Sequence, residues 1–255
     1  MNEPKHGWFW SAVRVFLGHF VPCSFFGLLT VELPSLVLDP RAGLASRLIV
    51  ALLNGCLVGT AVLVVHLGKM RRLNREVFPG RDRAYRLVGT GSGFLCGSLV
   101  ILIYQSPIGM VILTGLTLLA IALHVKLFLR RVAHLLRPGR LARIEDVVFL
   151  AGMFAMLLIA FTLVHISLDH IHTDLAVVTD QTQSTVFSSL RSRSLIDHLY
   201  FSIVVMTTLG FGDISPLTPA ARIAVAAECL TSYVMFALML GIITRGIIFR
   251  GEEAE

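Results

Sequence analysis

Six long apolar stretches limit what this chain can fold into more than any other feature of its sequence. An α-helix needs roughly 20 predominantly apolar residues to cross the hydrocarbon core of a bilayer. All six stretches are close to that length, and only the last contains an acidic residue, Glu228. They predict an all-α membrane protein with six transmembrane helices, at residues 15–31, 48–68, 87–104, 108–125, 147–168 and 223–243.

The composition supports a membrane protein. Of the 255 residues, 55% are hydrophobic and 15% are charged, and the mean hydropathy is +0.79. A soluble domain of this size is less apolar and carries more charge. The four cysteines lie inside apolar runs and have no metal-ligand spacing, so neither a disulfide nor a metal role is expected of Cys23, Cys56, Cys96 and Cys229.

Basic residues predict the orientation of the helices. They crowd the connections after the second and fourth apolar stretches, whereas residues 105–107 between the third and fourth carry no charge. By the positive-inside rule both basic connections, and hence both chain ends, are cytoplasmic. The first residues lack the apolar core and cleavage site of a removable signal peptide. We therefore interpret the basic residues as anchors of the membrane topology rather than as a site specific for lipid or nucleic acid.

A further apolar stretch, residues 195–207, is too short to cross the membrane. Its roughly thirteen residues would reach only about two-thirds of the way, at about 1.5 Å per residue. Ser194 with Asp197 three residues later is typical of a helix start. The stretch predicts a re-entrant helix whose C-terminal end, with about half a negative charge, favours a cation near the membrane centre.

The sequence Thr-Thr-Leu-Gly-Phe-Gly-Asp follows at residues 207–213. Gly210 and Gly212 tolerate positive φ, so a strand here can point successive carbonyl groups to one side. Rings of such oxygens around an axis can replace the water shell of a potassium ion. Leu209 and Phe211 would then pack outward against the short helices, the Thr208 hydroxyl would form the innermost oxygen ring, and Asp213 would raise the cation concentration at the outer mouth.

Residues 199–213 resemble the signature sequence of potassium channels, and the run to Arg245 resembles the pore module of bacterial two-helix channels. The resemblance covers residues 147–245, and it implies a homotetramer that binds K⁺ and no other metal or cofactor. It also implies a filter and a set of residues that support it. The filter comprises Thr208, Leu209, Gly210, Phe211 and Gly212, and the supporting residues are Tyr200, Phe201, Thr207 and Glu228.

Three positions depart from the usual pattern of that family. Leu209 stands where valine is commonest, Phe211 stands where tyrosine is commonest, and the aromatic pair Tyr200 and Phe201 contains no tryptophan. Phenylalanine cannot donate a hydrogen bond. We therefore predict a filter held more by packing than by hydrogen bonds.

Glu228 is the one acid within a predicted span. A charge there costs about 3 kcal/mol on insertion scales, so the side chain should face protein or water. One hypothesis makes it a brace or a proton-sensitive group behind the filter, within reach of Thr207 or Ser202. The other makes it a carboxyl group satisfied at a subunit contact, and the sequence leaves both open.

Further along the last helix, three apolar residues recur at intervals of three and four, and a glycine follows the last of them directly. This spacing predicts an inner cavity with a gate that closes by dewetting, although ordinary helix packing has the same spacing. The residues concerned are Tyr233, Phe236, Leu240 and Gly241.

The chain is expected to contain an N-terminal transmembrane domain, residues 1–140, and a pore domain, residues 141–255. The N-terminal helices lack the regularly spaced internal arginines of a voltage sensor, and we interpret residues 131–143 as an interfacial linker. Gly89, Gly93 and Gly97 lie on one helix face and predict close helix packing. Residues 169–174 alternate histidine and aspartate, and we expect a solvated turret there rather than a zinc or acid-sensing site.

Together these features predict a potassium-selective channel in a bacterial inner membrane. The alternatives are a weakly selective cation channel and a non-conducting regulatory subunit. An enzyme is not expected, because His19, His66, His124 and His165 are scattered and form no nucleophile–base pair. Only ten residues follow Arg245, so a gating signal would have to come from another protein.

Overall fold

A computed structural model describes residues 6–32, 44–72, 79–103, 106–137, 142–178, 186–188, 194–245 and 247–248. Within these ranges the chain is almost entirely helical, which confirms the all-α prediction. The elements in chain order are α1 (His6–Glu32), α2 (Leu44–Arg72), α3 (Pro79–Ile103), α4 (Pro107–Leu135), β1 (Ala142–Arg143), α5 (Ile144–Val178), α6 (Leu195–Met206), α7 (Pro219–Ile243) and β2 (Ile247–Ile248).

Four of these helices are long and apolar enough to cross a membrane. They contain the segments Arg47–Val65, Pro107–Leu135, Ile144–Thr173 and Pro219–Ile243. The apolar parts of α1 and α3, Phe16–Thr30 and Leu87–Ile103, are shorter, and so is α6. The structure therefore supports a multi-pass membrane protein, and the count of six spans stays a prediction.

Two helices extend beyond their predicted ends. α4 continues to Leu135, because Phe128, Val132 and Leu135 are buried in a hydrophobic core. Arg131 therefore lies within a helix, not in the linker predicted at residues 131–143. α5 likewise continues to Val178.

The prediction of a solvated turret at residues 169–174 is wrong. These residues form part of α5, the Thr173 hydroxyl donates to the carbonyl oxygen of Asp169 at 2.8 Å, and Asp169 is buried. Packing within the protein keeps this polar stretch helical, although its composition is typical of a loop.

The chain divides into two compact units, Met1–Leu113 and Thr114–Glu255. The predicted division at residue 140 stays a prediction. In the first unit α3 packs against α1 and α2. Asn54 on α2 connects all three helices, since its Nδ2 donates to the carbonyl oxygens of Gly27 at 3.2 Å and Gly97 at 2.8 Å. Thr30 donates to Asn54 Oδ1.

Small residues let α3 approach α2 closely. A Cβ added to Gly97 would lie 3.0 Å from Val58 and 3.1 Å from the carbonyl oxygen of Asn54, and one added to Gly93 would lie 3.2 Å from the Gly59 Cα. This confirms the prediction that Gly93 and Gly97 serve helix packing.

Gly97→Val should destabilise the first unit. We expect a loss of about 1–3 kcal/mol, because the added side chain would push α3 away from α2 and from the Asn54 hydrogen bond. Thermal unfolding of the purified protein in detergent would measure it. Gly91→Val is the matched control, since an added Cβ on Gly91 meets no atom within 4 Å. Equal melting temperatures for the two variants would contradict the packing argument.

In the second unit α5 packs against α6 and α7. Leu157 and Phe161 of α5, Met206 of α6 and Met235 of α7 share one hydrophobic core. Residues that follow α7 are hydrogen bonded to residues that precede α5. β1 and β2 pair in parallel, and the Arg245 guanidinium donates to the carbonyl oxygen of Leu136 at 2.8 Å.

Candidate functional site

The site begins with α6, the short helix that the sequence predicted. The Ser194 Oγ accepts a hydrogen bond from the Ile196 N–H at 3.1 Å and caps the N-terminus. The helix ends at Met206, and Thr207 is its C-cap. Both the position and the length of the predicted helix are confirmed.

The segment after α6, residues 208–212, has positive φ at every second residue. φ is 61° at Thr208, 55° at Gly210 and 75° at Gly212. Alternation of left-handed and ordinary backbone brings successive carbonyl groups toward the same side of the chain. The two glycines adopt this conformation without strain, whereas a β-branched residue such as Thr208 pays about 1–2 kcal/mol for it. No local sequence pattern predicts positive φ at Thr208.

Carbonyl groups in the last turns of α6 fix the start of this segment. The N–H of Thr208 donates to Val205 O at 3.1 Å, and the N–H of Leu209 donates to Val204 O at 3.0 Å. The N–H of Gly210 also points to Val204 O, at 3.4 Å. The helix end therefore sets the direction in which the segment leaves it, and it uses carbonyls that would otherwise lack partners.

The side chains of Leu209 and Phe211 are exposed within the single chain. Their exposed fractions are 58% and 65%. The sequence predicted that they pack against the short helices, but the α6 of the same chain does not cover them. More than half of each apolar side chain is thus left uncovered by the residues that the structure describes.

A hydrogen bond joins α6 to the end of the segment. The Tyr200 hydroxyl donates to Asp213 Oδ2 at 2.7 Å. This bond, together with a smaller contribution from the Ile214 N–H, holds the pKa of the Asp213 carboxyl below its usual value. Tyr200 thus adds a hydrogen bond just beyond residues 208–212, and a filter held more by packing than by hydrogen bonds stays a prediction.

Residues 215–217, which follow the segment, are hydrogen bonded to residues 186–188, which precede α6. The N–H of Ser188 donates to Ser215 O at 2.9 Å, and the N–H of Leu217 donates to Val186 O at 2.8 Å. Phe187 lies between them and is buried against Phe201 of α6, with ring centroids 5.1 Å apart. Residues 186–188 thus tie residues 215–217 to α6.

α7 begins at Pro219, and Thr218 is its N-cap. The Thr218 Oγ1 accepts from the Ala221 N–H at 3.3 Å, and Pro219 occupies the first helical turn. Glu228, further along, is fully buried.

The hydrogen-bond partner of Glu228 is not one of the residues suggested by the sequence. Its Oε2 lies 2.7 Å from His165 Nε2 on α5, and His165 is also fully buried. The Thr207 hydroxyl instead donates to Ile203 O. Sequence reasoning missed this partner because the two residues are 63 positions apart. The only available signal was that each is an ionisable residue within an apolar stretch.

The residues predicted to line an inner cavity lie on α7 with mostly exposed side chains. Tyr233, Phe236 and Leu240 have exposed fractions of 69%, 43% and 62%. The Phe236 ring contacts Phe154 of α5, with centroids 4.9 Å apart. An added Cβ on Gly241 meets no atom within 4 Å. The cavity and gate stay predictions.

No cluster of metal ligands accompanies the site. In the described part of the chain, no three histidine, cysteine, aspartate or glutamate side chains come together as they would around a metal ion.

Comparison with known proteins points to the same region. Residues 175–248 match the family model described as "Ion channel". A stretch of 37 residues is 49% identical to the two-pore potassium channel 5 of Arabidopsis thaliana, and it covers 14% of this chain and 9% of the plant protein. No solved structure matches the chain significantly. Residues 175–248 are therefore similar to ion channels, and the 37-residue stretch is similar to a short part of a potassium channel.

Proposed function

We propose that four copies of this chain surround one axis and conduct potassium ions selectively through residues 208–212. The observation that carries the proposal is the alternation of positive φ at Thr208, Gly210 and Gly212, in a segment that begins at the end of a short helix. One copy of such a segment supplies a single row of carbonyl oxygens. Several copies around an axis supply the rings that replace the hydration shell of K⁺.

Exposed apolar side chains support assembly of several chains. Besides Leu209 and Phe211, the α7 residues Ile223, Leu230 and Tyr233 are at least two-thirds exposed in the single chain. Some of these side chains would contact the neighbouring subunits and others the lipid. The apolar helices would then cross the bacterial inner membrane six times, with both chain ends cytoplasmic.

Reversal potentials of the purified protein in planar bilayers, under opposed potassium and sodium gradients, test the proposal. We expect a value near the potassium equilibrium potential, because the carbonyl rings select the less strongly hydrated cation. A clear current that reverses near zero would instead indicate a weakly selective cation channel. If the protein by itself gives no current but alters the currents of a second channel, it is a regulatory subunit.

A further inference from the structure

We infer that His165 and Glu228 act as one unit that positions the filter segment. The inference rests on the function proposed above and concerns how residues 208–212 are held. These two side chains do not touch that segment. They act through the aromatic rings and short stretches that surround it.

The pair is buried and makes a single direct bond. Both side chains have 0% exposure, and His165 Nε2 lies 2.7 Å from Glu228 Oε2. Among the residues that the structure describes, neither His165 Nδ1 nor Glu228 Oε1 has another hydrogen-bond partner. Since a buried polar or charged group is costly without a partner, neither residue can turn away from the other. The bond therefore fixes the orientation of the imidazole ring.

That ring contacts the two structures that hold the filter segment. It meets Phe201 of α6 edge to face, with centroids 5.2 Å apart, and it meets Phe187 in the same way at 5.5 Å. Such edge-to-face contacts depend on ring orientation. Because Glu228 fixes the imidazole, it also determines how both aromatic rings can pack.

The Phe201 and Phe187 rings are each linked to residues that follow the filter segment. Phe201 is the neighbour of Tyr200, which donates to Asp213. Phe187 belongs to the stretch 186–188, which hydrogen bonds to Ser215 and Leu217. Through these contacts the His165–Glu228 pair connects α5, α6, α7 and the stretch 186–188. Loss of either partner should loosen the same set of contacts.

The test compares leucine variants by two independent measurements. His165→Leu and Glu228→Leu each leave one buried group without its partner, whereas the double variant replaces the pair with two apolar side chains. Thermal unfolding in detergent reports stability. The unfolding temperature is also measured at increasing K⁺ concentration, with Na⁺ added to keep the total salt constant. Its increase gives the K⁺ concentration that half-saturates the filter.

Each single variant should lower the unfolding temperature and raise the half-saturating K⁺ concentration about tenfold. The double variant should recover the unfolding temperature, because no buried polar group is left unpaired. Its half-saturating K⁺ concentration should nevertheless stay as high as in the single variants, because the oriented imidazole is gone. If the pair only stabilises the fold, the double variant should instead recover both the unfolding temperature and the wild-type half-saturating K⁺ concentration.

Ser167→Ala is the matched control. Ser167 lies on the same helix, is fully buried and donates only to Leu163 O one turn earlier, so the K⁺ dependence should not change. Wild-type K⁺ dependence in both single variants, or its recovery together with stability in the double variant, would overturn the inference. A wild-type protein that K⁺ does not stabilise would overturn the proposed function itself.

Discussion

Gly210→Ala should abolish potassium flux while leaving the protein folded. Gly210 has φ +55°, and an added Cβ there meets no atom within 4 Å. Within the single chain the cost is therefore conformational, not steric. The left-handed region costs an L-residue about 1 kcal/mol or more, so four subunits lose about 4 kcal/mol. This corresponds to a roughly thousandfold smaller population of the conducting conformation. We expect the carbonyl groups to rotate away from the axis and the flux to disappear.

Potassium flux from proteoliposomes measures this effect, and Gly152→Ala is its control. Gly152 is an exposed helical residue of α5, and an added Cβ there also meets no atom within 4 Å. Alanine is favoured over glycine in a helix, so this variant should conduct like the wild type. Wild-type flux through Gly210→Ala would show that the backbone of residues 208–212 does not form the conduction path.

Local signals explain what the sequence could predict. Ser194 and Thr218 mark helix starts because a side-chain oxygen can accept from the first free N–H groups, and the structure has caps at both positions. Gly210 and Gly212 indicated positive φ because glycine has no Cβ. These rules act within a few residues, so no knowledge of the fold was needed.

Contacts between distant segments explain which features the sequence could not predict. The polar residues 169–174 were predicted to form a solvated turret, but they continue α5, and Asp169 is buried. Thr208 adopts φ +61° because hydrogen bonds to α6 impose it on an unfavourable residue. The partnership of Glu228 with His165 depends on how α5 and α7 pack, and no local pattern contains that information.

Tyr200→Phe should make the flux more sensitive to acid. In the proposed channel the Asp213 carboxylate attracts cations to the outer mouth only while it is charged. The Tyr200 hydroxyl is the largest cause of the lowered pKa of this carboxyl. In the wild type the charge therefore persists until the pH falls below the usual carboxyl pKa, about 3.9. Without the hydroxyl the pKa rises toward that value, so the flux should begin to fall at a higher pH.

Potassium flux measured against external pH at low ionic strength gives the midpoint of the acid effect for each variant. Asp213→Asn is the control, since it removes the titrating group. Its flux should be about tenfold lower than that of the wild type at neutral pH and should not change through the acid range. High salt should reduce the difference between these proteins, because Asp213 is exposed and its field is screened. Equal midpoints for Tyr200→Phe and the wild type would mean that the Tyr200–Asp213 hydrogen bond does not control the charge at the filter.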